Sequence, residues 1–276
     1  MPELPEVETL RRSLEPHLLM RQIERVEVIE PRLRQPVDEC SLRKSEGRQV
    51  VAVERRAKYL IWRLEDQAAI LIHLGMSGRL GLFSPSAPLE AHTHVIFHFD
   101  HLQVRYRDPR RFGLIKAVPS GRPEGLPELA QLGPEPLSDE FNASFLAERL
   151  QRSAKPIKHW LMDAHNVVGV GNIYANEALF DAGIHPQRPT NSLSAEERKR
   201  LVRSIKAILA GAIEQGGTTL NDYRNAEGEP GFFQMRLQVY HRAGEPCPQC
   251  GASVRRIVMS NRSTFYCPNC QSQQKP

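Results

Sequence analysis

Val7, Leu10, Leu14 and Leu18 recur at three- and four-residue spacing, the period of one helical face. The stretch 5–19 is therefore expected to be a helix. Pro5 suits its first turn, Glu6 and Glu8 suit the positive end of its dipole, and Pro16 bends or shortens it. From residue 23 the period drops to two. "IERVEVI", "RQVVAVE", "KYLIWRL", "AILIHLG", "HVIFHFD" and "LQVRYRD" alternate apolar and polar positions up to residue 118, broken by Gly and Pro. This predicts antiparallel β structure, either a sandwich or a barrel. The stretch 119–137, "PSGRPEGLPELAQLGPEPL", is dense in Pro and Gly and reads as a linker. Helical patterning then returns over 138–151, 156–165 and 172–182. A Ser194-x-x-Glu197 capping-box spacing opens a further helix, which runs to about Gln215 and stops at Gly216-Gly217. The polar, glycine-rich stretch 216–234 is long for a loop inside a compact domain, which marks it as functional or mobile. Two strands finish the chain. No internal repeat is present.

Length and composition narrow this picture. The 276 residues suffice for two ordinary domains or one large one, and 40% apolar against 25% charged residues supports a real core. No run approaches the roughly 18 apolar residues of a membrane span. The acidic N-terminus lacks the basic and apolar regions of a signal peptide, so the protein is expected in the cytoplasm. A net charge of +5 leans mildly toward a polyanionic partner. Its distribution says more: within 237–276, Arg242, Arg255, Arg256, Arg262 and Lys275 face only Glu245.

Four of the five cysteines form Cys247-x2-Cys250 and Cys267-x2-Cys270, separated by sixteen residues. That is the spacing of a four-thiolate zinc site on a β-hairpin. Four protein ligands leave no open position, so one structural zinc ion is expected. The hairpin it would hold carries Arg255, Arg256 and Arg262, whose forked donors match phosphate; a solvated charged surface explains them equally well. Cys40 stands alone and reads as an inert thiol.

"DAHNVVGVGNIYANEALFDAG" reads as helix, glycine turn, helix, with Asn172 near the start of the second helix beside the Gly169 and Gly171 amides. Such a place suits phosphate, although the spacing alone favours a plain helical hairpin. "RRAKYL" puts Lys58 at the head of a strand, "IHLGMSGRL" puts His73 and Met76 around a glycine turn, and "DPRRFG" puts Arg110, Arg111 and Phe112 in another. Singly these are ordinary residues. Two apolar side chains at turn tips are less so, because such tips are normally wet, and they could serve as wedges into a base stack. Finally, "MPELPEVETL" places a proline where removal of Met1 would leave a free secondary amine beside Glu3. It is either a tail tip or a nucleophile with its acid/base partner.

"PELPEVET", "IHLGMSGRL", "DPRRFG", "VVGVGNIYANEALF", "GGTTLNDY" with "GEPGFFQ", and the four-cysteine finger occur in one order. Together they resemble the bacterial formamidopyrimidine-DNA glycosylases, from Pro2 to about Cys270. The resemblance implies an α+β chain: an N-terminal β-sandwich with an N-terminal helix (1–130), a helix–two-turns–helix domain with a lesion-capping loop (131–236) and a zinc finger (237–276). Duplex DNA would lie in the cleft between. The implied activity is excision of oxidised purines, 8-oxoguanine and formamidopyrimidines, from duplex DNA, followed by β,δ-elimination at the abasic site. Pro2 would be the nucleophile, Glu3 the acid/base, and Lys58 and Arg262 further catalytic groups. Lys58, His73, Asn172 and Arg262 would hold phosphates around the lesion. Met76, Arg110 and Phe112 would fill the gap left by the extruded nucleotide. Thr218, Thr219 and Tyr223 belong to the loop that closes over the flipped base. Glu6, Lys158 and Tyr240 match residues near the site, with Lys158 and Tyr240 expected among the DNA-binding residues. The protein would act as a monomer, associated with the nucleoid and with no membrane partner.

The chemistry agrees with that resemblance. A base inside a duplex must be flipped out before a nucleophile reaches it, at a cost of a few kcal/mol. Attack by an amine at C1′ displaces the base and leaves an iminium, which acidifies the C2′ protons and permits elimination. An α-amine titrates near roughly 7.7–8 and a lysine near roughly 10.4, so the terminal amine is neutral far more often at cellular pH. The covalent centre needs no metal or organic cofactor. Two alternatives compete. The endonuclease VIII type prefers oxidised pyrimidines, but usually begins Pro-Glu-Gly-Pro, where this chain has Pro2-Glu3-Leu4-Pro5. A non-catalytic zinc-dependent DNA-binding protein would explain the finger and the charge, but not Pro2-Glu3 or the long loop.

Overall fold

The apolar stripe near the N-terminus forms α1, Leu4–Leu18, in a computed structural model that describes residues 2–118, 123–218, 226 and 236–272. Val7, Leu10, Leu14 and Leu18 are each at most 1% exposed, and burial of such side chains contributes about 1.5–3 kcal/mol apiece. Pro16 lies inside the helix two residues from its end, where few intrahelical bonds remain to be lost.

The alternating runs form two four-stranded antiparallel sheets. One has the order β1 (Arg25–Val28), β6 (Thr93–His98), β7 (Gln103–Arg107), β5 (Arg79–Phe83). The other has the order β2 (Val50–Arg56), β3 (Tyr59–Leu64), β4 (Ala69–His73), β8 (Leu114–Val118). Every second residue faces a shared core: Leu60, Trp62 and Leu64 from β3, Ile70 and Ile72 from β4, Val95 and Phe97 from β6, Val104 and Tyr106 from β7. Trp62 and Phe97 meet edge to face across it, with ring centroids 4.9 Å apart. The arrangement is a sandwich, with α1 packed on β2 and its apolar stripe in the same core. The alternating runs leave out β5 and β8, and they give no sign of the short helix α2, Glu39–Arg43, capped by Asp38.

By contact the chain forms two units. The first comprises residues 1–131 together with 215–232; the second comprises 132–214 and 233–276. In the first, Leu82 N–H donates to Ala226 O and Ala226 N–H donates to Ser13 Oγ. The stretch 119–122 lies outside the described residues; α3, Pro127–Ala130, follows it.

The second unit contains α4 (Ala143–Leu150), α5 (Ile157–Leu161), α6 (Asn172–Asp181) and α7 (Ala195–Glu214). The capping box expected at the start of α7 is present: Ser194 N–H donates to Glu197 Oε2 at 2.7 Å, and Glu197 N–H donates to Ser194 Oγ at 3.2 Å. Gly216 and Gly217 take φ of 73° and 80°, the left-handed region that ends helices. The hairpin of β9 (Arg255–Met259) and β10 (Arg262–Tyr266) shares a small core with Phe180 of α6.

No helix among the described residues is long and apolar enough to cross a membrane.

Candidate active site

In the first unit, Pro2 and Glu3 are buried at the head of α1, where the backbone N–H groups leave positive potential. Glu3 is the N-cap residue and forms a capping box with Glu6, in which Glu3 N–H donates to Glu6 Oε2 at 2.7 Å. The other oxygen of the same carboxylate accepts Thr218 N–H at 2.8 Å. Glu6, only 2% exposed, therefore ties the backbone of Glu3 to the root of the stretch 216–234. The neighbouring Gly217 has little room for a side chain, since a Cβ there would stand 3.1 Å from Glu6 Cγ. Thr219 and Tyr223 lie outside the described residues.

Lys58 occupies the turn between β2 and β3, just before β3 begins. The preceding residue, Ala57, has φ 55°, a left-handed conformation that costs a non-glycine residue roughly 1–2 kcal/mol. Arg55 holds that turn: Nη1 donates to Ala57 O at 3.0 Å while Nε donates to Glu8 Oε2 at 3.0 Å. Burial works to raise the Glu8 pKa, but hydrogen bonds from Arg11, Arg12 and Arg55 outweigh it and hold the carboxyl below its usual range. The Glu8–Arg55 pair links the helix that presents Pro2 and Glu3 to the turn that presents Lys58.

His73 closes β4 opposite Tyr59, with the two rings 4.7 Å apart. Its Nδ1 accepts Gly75 N–H at 3.0 Å. Burial, followed by the positive charges of Lys58 and Arg34, lowers its pKa to about 4. At neutral pH the ring is uncharged, and with Nδ1 accepting, its hydrogen sits on Nε2 as a donor.

Met76 and Phe112 stand at turn tips, 41% and 45% exposed, and the Arg110 guanidinium lies 4.9 Å from the centre of the Phe112 ring. The two turns nest against each other. Gly75, at φ 61°, lies so close to the backbone of Phe112 and Gly113 that a Cβ would collide with it. Beneath them Asp108 is wholly buried and accepts Ser77 Oγ–H at 2.5 Å, Gly113 N–H at 2.8 Å and Arg110 N–H at 3.3 Å.

In the second unit, α6 begins at Asn172 after the N-cap Gly171, and Gly169 takes φ 77° in the turn before it. Asn172 Nδ2 donates to Ser263 O at 3.0 Å and to Tyr240 Oη at 3.4 Å. Its buried Oδ1 has no hydrogen-bond partner among the described residues. Arg262 is exposed at the start of β10. Lys158 turns inward instead: it is 1% exposed, and Nζ donates to Thr264 Oγ1 at 2.6 Å and Ser263 O at 3.3 Å. Lys158 and Asn172 thus both hold the carbonyl next to Arg262. Tyr240 packs edge to face on Phe265, centroids 5.2 Å apart.

Glu177 is a residue the sequence reading passes over. Buried on α6, it accepts the N–H groups of Gln238, Val239 and Tyr240 at 2.7, 3.0 and 2.8 Å. Burial raises its pKa despite those three bonds. Its signal is one acid within the otherwise uncharged run "NIYANEALF".

The four cysteines sit on two turns, their Sγ atoms all within 4.8 Å of one another. Cys247 and Cys270 approach to 3.8 Å and Cys250 and Cys267 to 3.4 Å. Tetrahedral zinc with bonds of about 2.3 Å separates its sulfurs by about 3.8 Å, so the residues fit the ion. Metal analysis is expected to find one zinc per chain. Chelation is expected to loosen the 244–272 region in hydrogen exchange and to weaken duplex binding. Unimpaired DNA binding by metal-free protein would contradict this assignment.

Comparison with known proteins adds three matches in chain order. Residues 1–115 match the formamidopyrimidine-DNA glycosylase N-terminal domain, 132–224 the H2TH domain of the same enzymes, and 244–273 the zinc finger found in FPG and IleRS. The formamidopyrimidine-DNA glycosylase of Laribacter hongkongensis is 51% identical over 98% of this chain and 100% of its own length. That of Klebsiella pneumoniae is 52% identical with the same coverage. Among solved structures, the Fpg protein of Thermus thermophilus superposes with a TM-score of 0.89 at 42% identity, covering 99% of this chain and 100% of its own. The Lactococcus lactis Fpg in complex with abasic-site DNA gives 0.90 at 37% identity, covering 98% and 99%.

Proposed function

The chain belongs to the formamidopyrimidine-DNA glycosylase family, and from that membership we propose how its own residues divide the work. It is a base-excision-repair enzyme that removes oxidised purines from DNA and cleaves the strand at the resulting abasic site. The observation that carries the division of roles is the Glu6 carboxylate, which bonds both Glu3 N–H and Thr218 N–H. One buried side chain thereby sets the acid/base residue against the root of the loop assigned to the flipped base.

In this reading Met1 is removed and the Pro2 nitrogen attacks C1′ of the extruded nucleotide. The N-glycosidic bond breaks, and Glu3 supplies the proton the departing base or the opening sugar needs. The positive iminium then draws electrons from C2′. Loss of a C2′ proton expels the 3′ phosphate, and a second elimination expels the 5′ phosphate. Lys58 and Arg262 stand as the cationic groups for these eliminations and, with His73 and Asn172, for the flanking phosphates. His73 does so as a neutral donor through Nε2. Arg110 offers donors to the O2 and N3 acceptors of the orphaned cytosine, while Met76 and Phe112 occupy the void. Cys247, Cys250, Cys267 and Cys270 hold zinc, which fixes the Arg262 hairpin. We place the enzyme in the cytoplasm at the nucleoid, acting as a monomer.

Single-turnover assays on matched duplexes test this. An 8-oxoguanine·cytosine duplex should be cut to a one-nucleoside gap with phosphate on both ends, and a duplex carrying an oxidised pyrimidine should be cut far more slowly. Faster cutting of the pyrimidine duplex would move the chain to the endonuclease VIII branch.

A further inference from the structure

We propose that Asp108 is a positioning residue that fastens the two wedge-bearing turns into one body before DNA is met. This rests on the assignment of Met76, Arg110 and Phe112 to the space left by the extruded nucleotide. The residues concerned are far apart in sequence. Met76 lies between β4 and β5, and Arg110 and Phe112 lie between β7 and β8. One carboxylate serves both turns. Its Oδ1 accepts Ser77 Oγ–H from the first turn at 2.5 Å and Arg110 N–H from the second at 3.3 Å. Its Oδ2 accepts Gly113 N–H at 2.8 Å, with Tyr106 Oη–H at 3.4 Å. Ser77 Oγ closes the triangle by accepting Arg110 N–H at 3.2 Å.

A fully buried carboxylate is costly unless its lone pairs are matched. Here backbone and hydroxyl donors from both turns match them, so neither turn can move without exposing a hydrogen-bonding defect in the other. Close packing acts in the same direction. Gly75 admits the Phe112 carbonyl, and Gly113 admits the Tyr106 hydroxyl, at positions where a Cβ would collide. The exposed Met76 and Phe112 are thus carried on a rigid base. A wedge does work on a base stack only if its support does not yield, because displacement of the wedge would relieve the strain that unstacking requires. Fixing the turns in advance also removes an ordering cost from the DNA complex.

The test separates unstacking from the rest of the reaction. Asp108→Asn keeps the size of the side chain but turns an amide donor into a nest of donors. Ser77→Ala removes only the hydroxyl that joins the turns, at a half-buried position, and carries the test if Asp108→Asn does not fold. Single-turnover rates are measured on an 8-oxoguanine·cytosine duplex and on the same duplex with a preformed abasic site, where no base has to leave the stack. Excision is expected to fall about 10²-fold in Asp108→Asn, the scale of small misplacements of catalytic parts, while abasic-site cleavage stays within about threefold. Ser77→Ala is expected to lose about tenfold in excision alone, as for one hydrogen bond. Equal losses on both substrates, or none on either, would overturn the proposal. Phe112→Ala distinguishes the two levels. If it slows excision while Ser77→Ala and Asp108→Asn do not, the anchor is wrong and the wedge stands; if it too leaves excision unchanged, the wedge assignment falls.

Discussion

Borohydride treatment during turnover of an 8-oxoguanine·cytosine duplex is expected to lock the protein to DNA, with the adduct mapping to Pro2. Reduction of the iminium turns a transient C=N bond into a stable amine, so only the residue that attacked C1′ can carry the sugar. Protein with an acyl cap on that nitrogen, or with Met1 retained, should bind the lesion duplex yet neither trap nor cut. The amide nitrogen has its lone pair delocalised into a carbonyl and cannot attack. The loss should be complete within assay sensitivity, since no rate remains for a covalent step without its nucleophile. Abundant adduct on Lys58 in the wild-type protein would overturn the mechanism while leaving the DNA-binding assignments intact.

Glu3→Gln is expected to show the second large loss, confined to one half of the reaction. The amide preserves shape but cannot shuttle a proton. Removal of a positioned acid/base typically costs about 10²–10⁴-fold, and excision of 8-oxoguanine should fall by that amount. Cleavage at a preformed abasic site should persist in part, because no base has to depart there. Affinity for a duplex containing a tetrahydrofuran abasic analogue should stay within about twofold, since general acid–base catalysis acts on the transition state and not on ground-state binding. A loss of affinity matching the loss of rate would show that Glu3 holds the DNA instead of moving protons.

Features with a local period or fixed spacing were legible in the sequence. The Val7, Leu10, Leu14, Leu18 stripe, the Ser194–Glu197 box and the cysteine pairs each lie within one element or one hairpin, and the structure has all three. Alternation found six strands but missed β5 and β8. In "RLGLF" a glycine interrupts the run, and in "LIKAV" the lone polar residue is too little to set a period. The five-residue helix α2 is too short for a period to develop. Other features left no local trace because their partners are remote. Glu6 and Thr218 are 212 residues apart, Asp108 and Ser77 are 31, and Glu177 meets a segment some 60 residues downstream. A buried acid with distant backbone donors looks in sequence like any other acid.

The first structural unit is discontinuous, closing with residues 215–232 after the chain has passed through 132–214. This has a consequence for biogenesis. A ribosome adding about 5–20 residues per second needs roughly 4–17 s to cross that interval. During it the strands of the sandwich have been made but Thr218 and Ala226 have not, so the bonds Glu6 makes to Thr218 and that Ser13 and Leu82 make to Ala226 cannot yet form. The nascent chain thus carries Pro2, Met76 and Phe112 before residues 215–232 have been made. A polypeptide truncated before residue 215 would lack these bonds permanently.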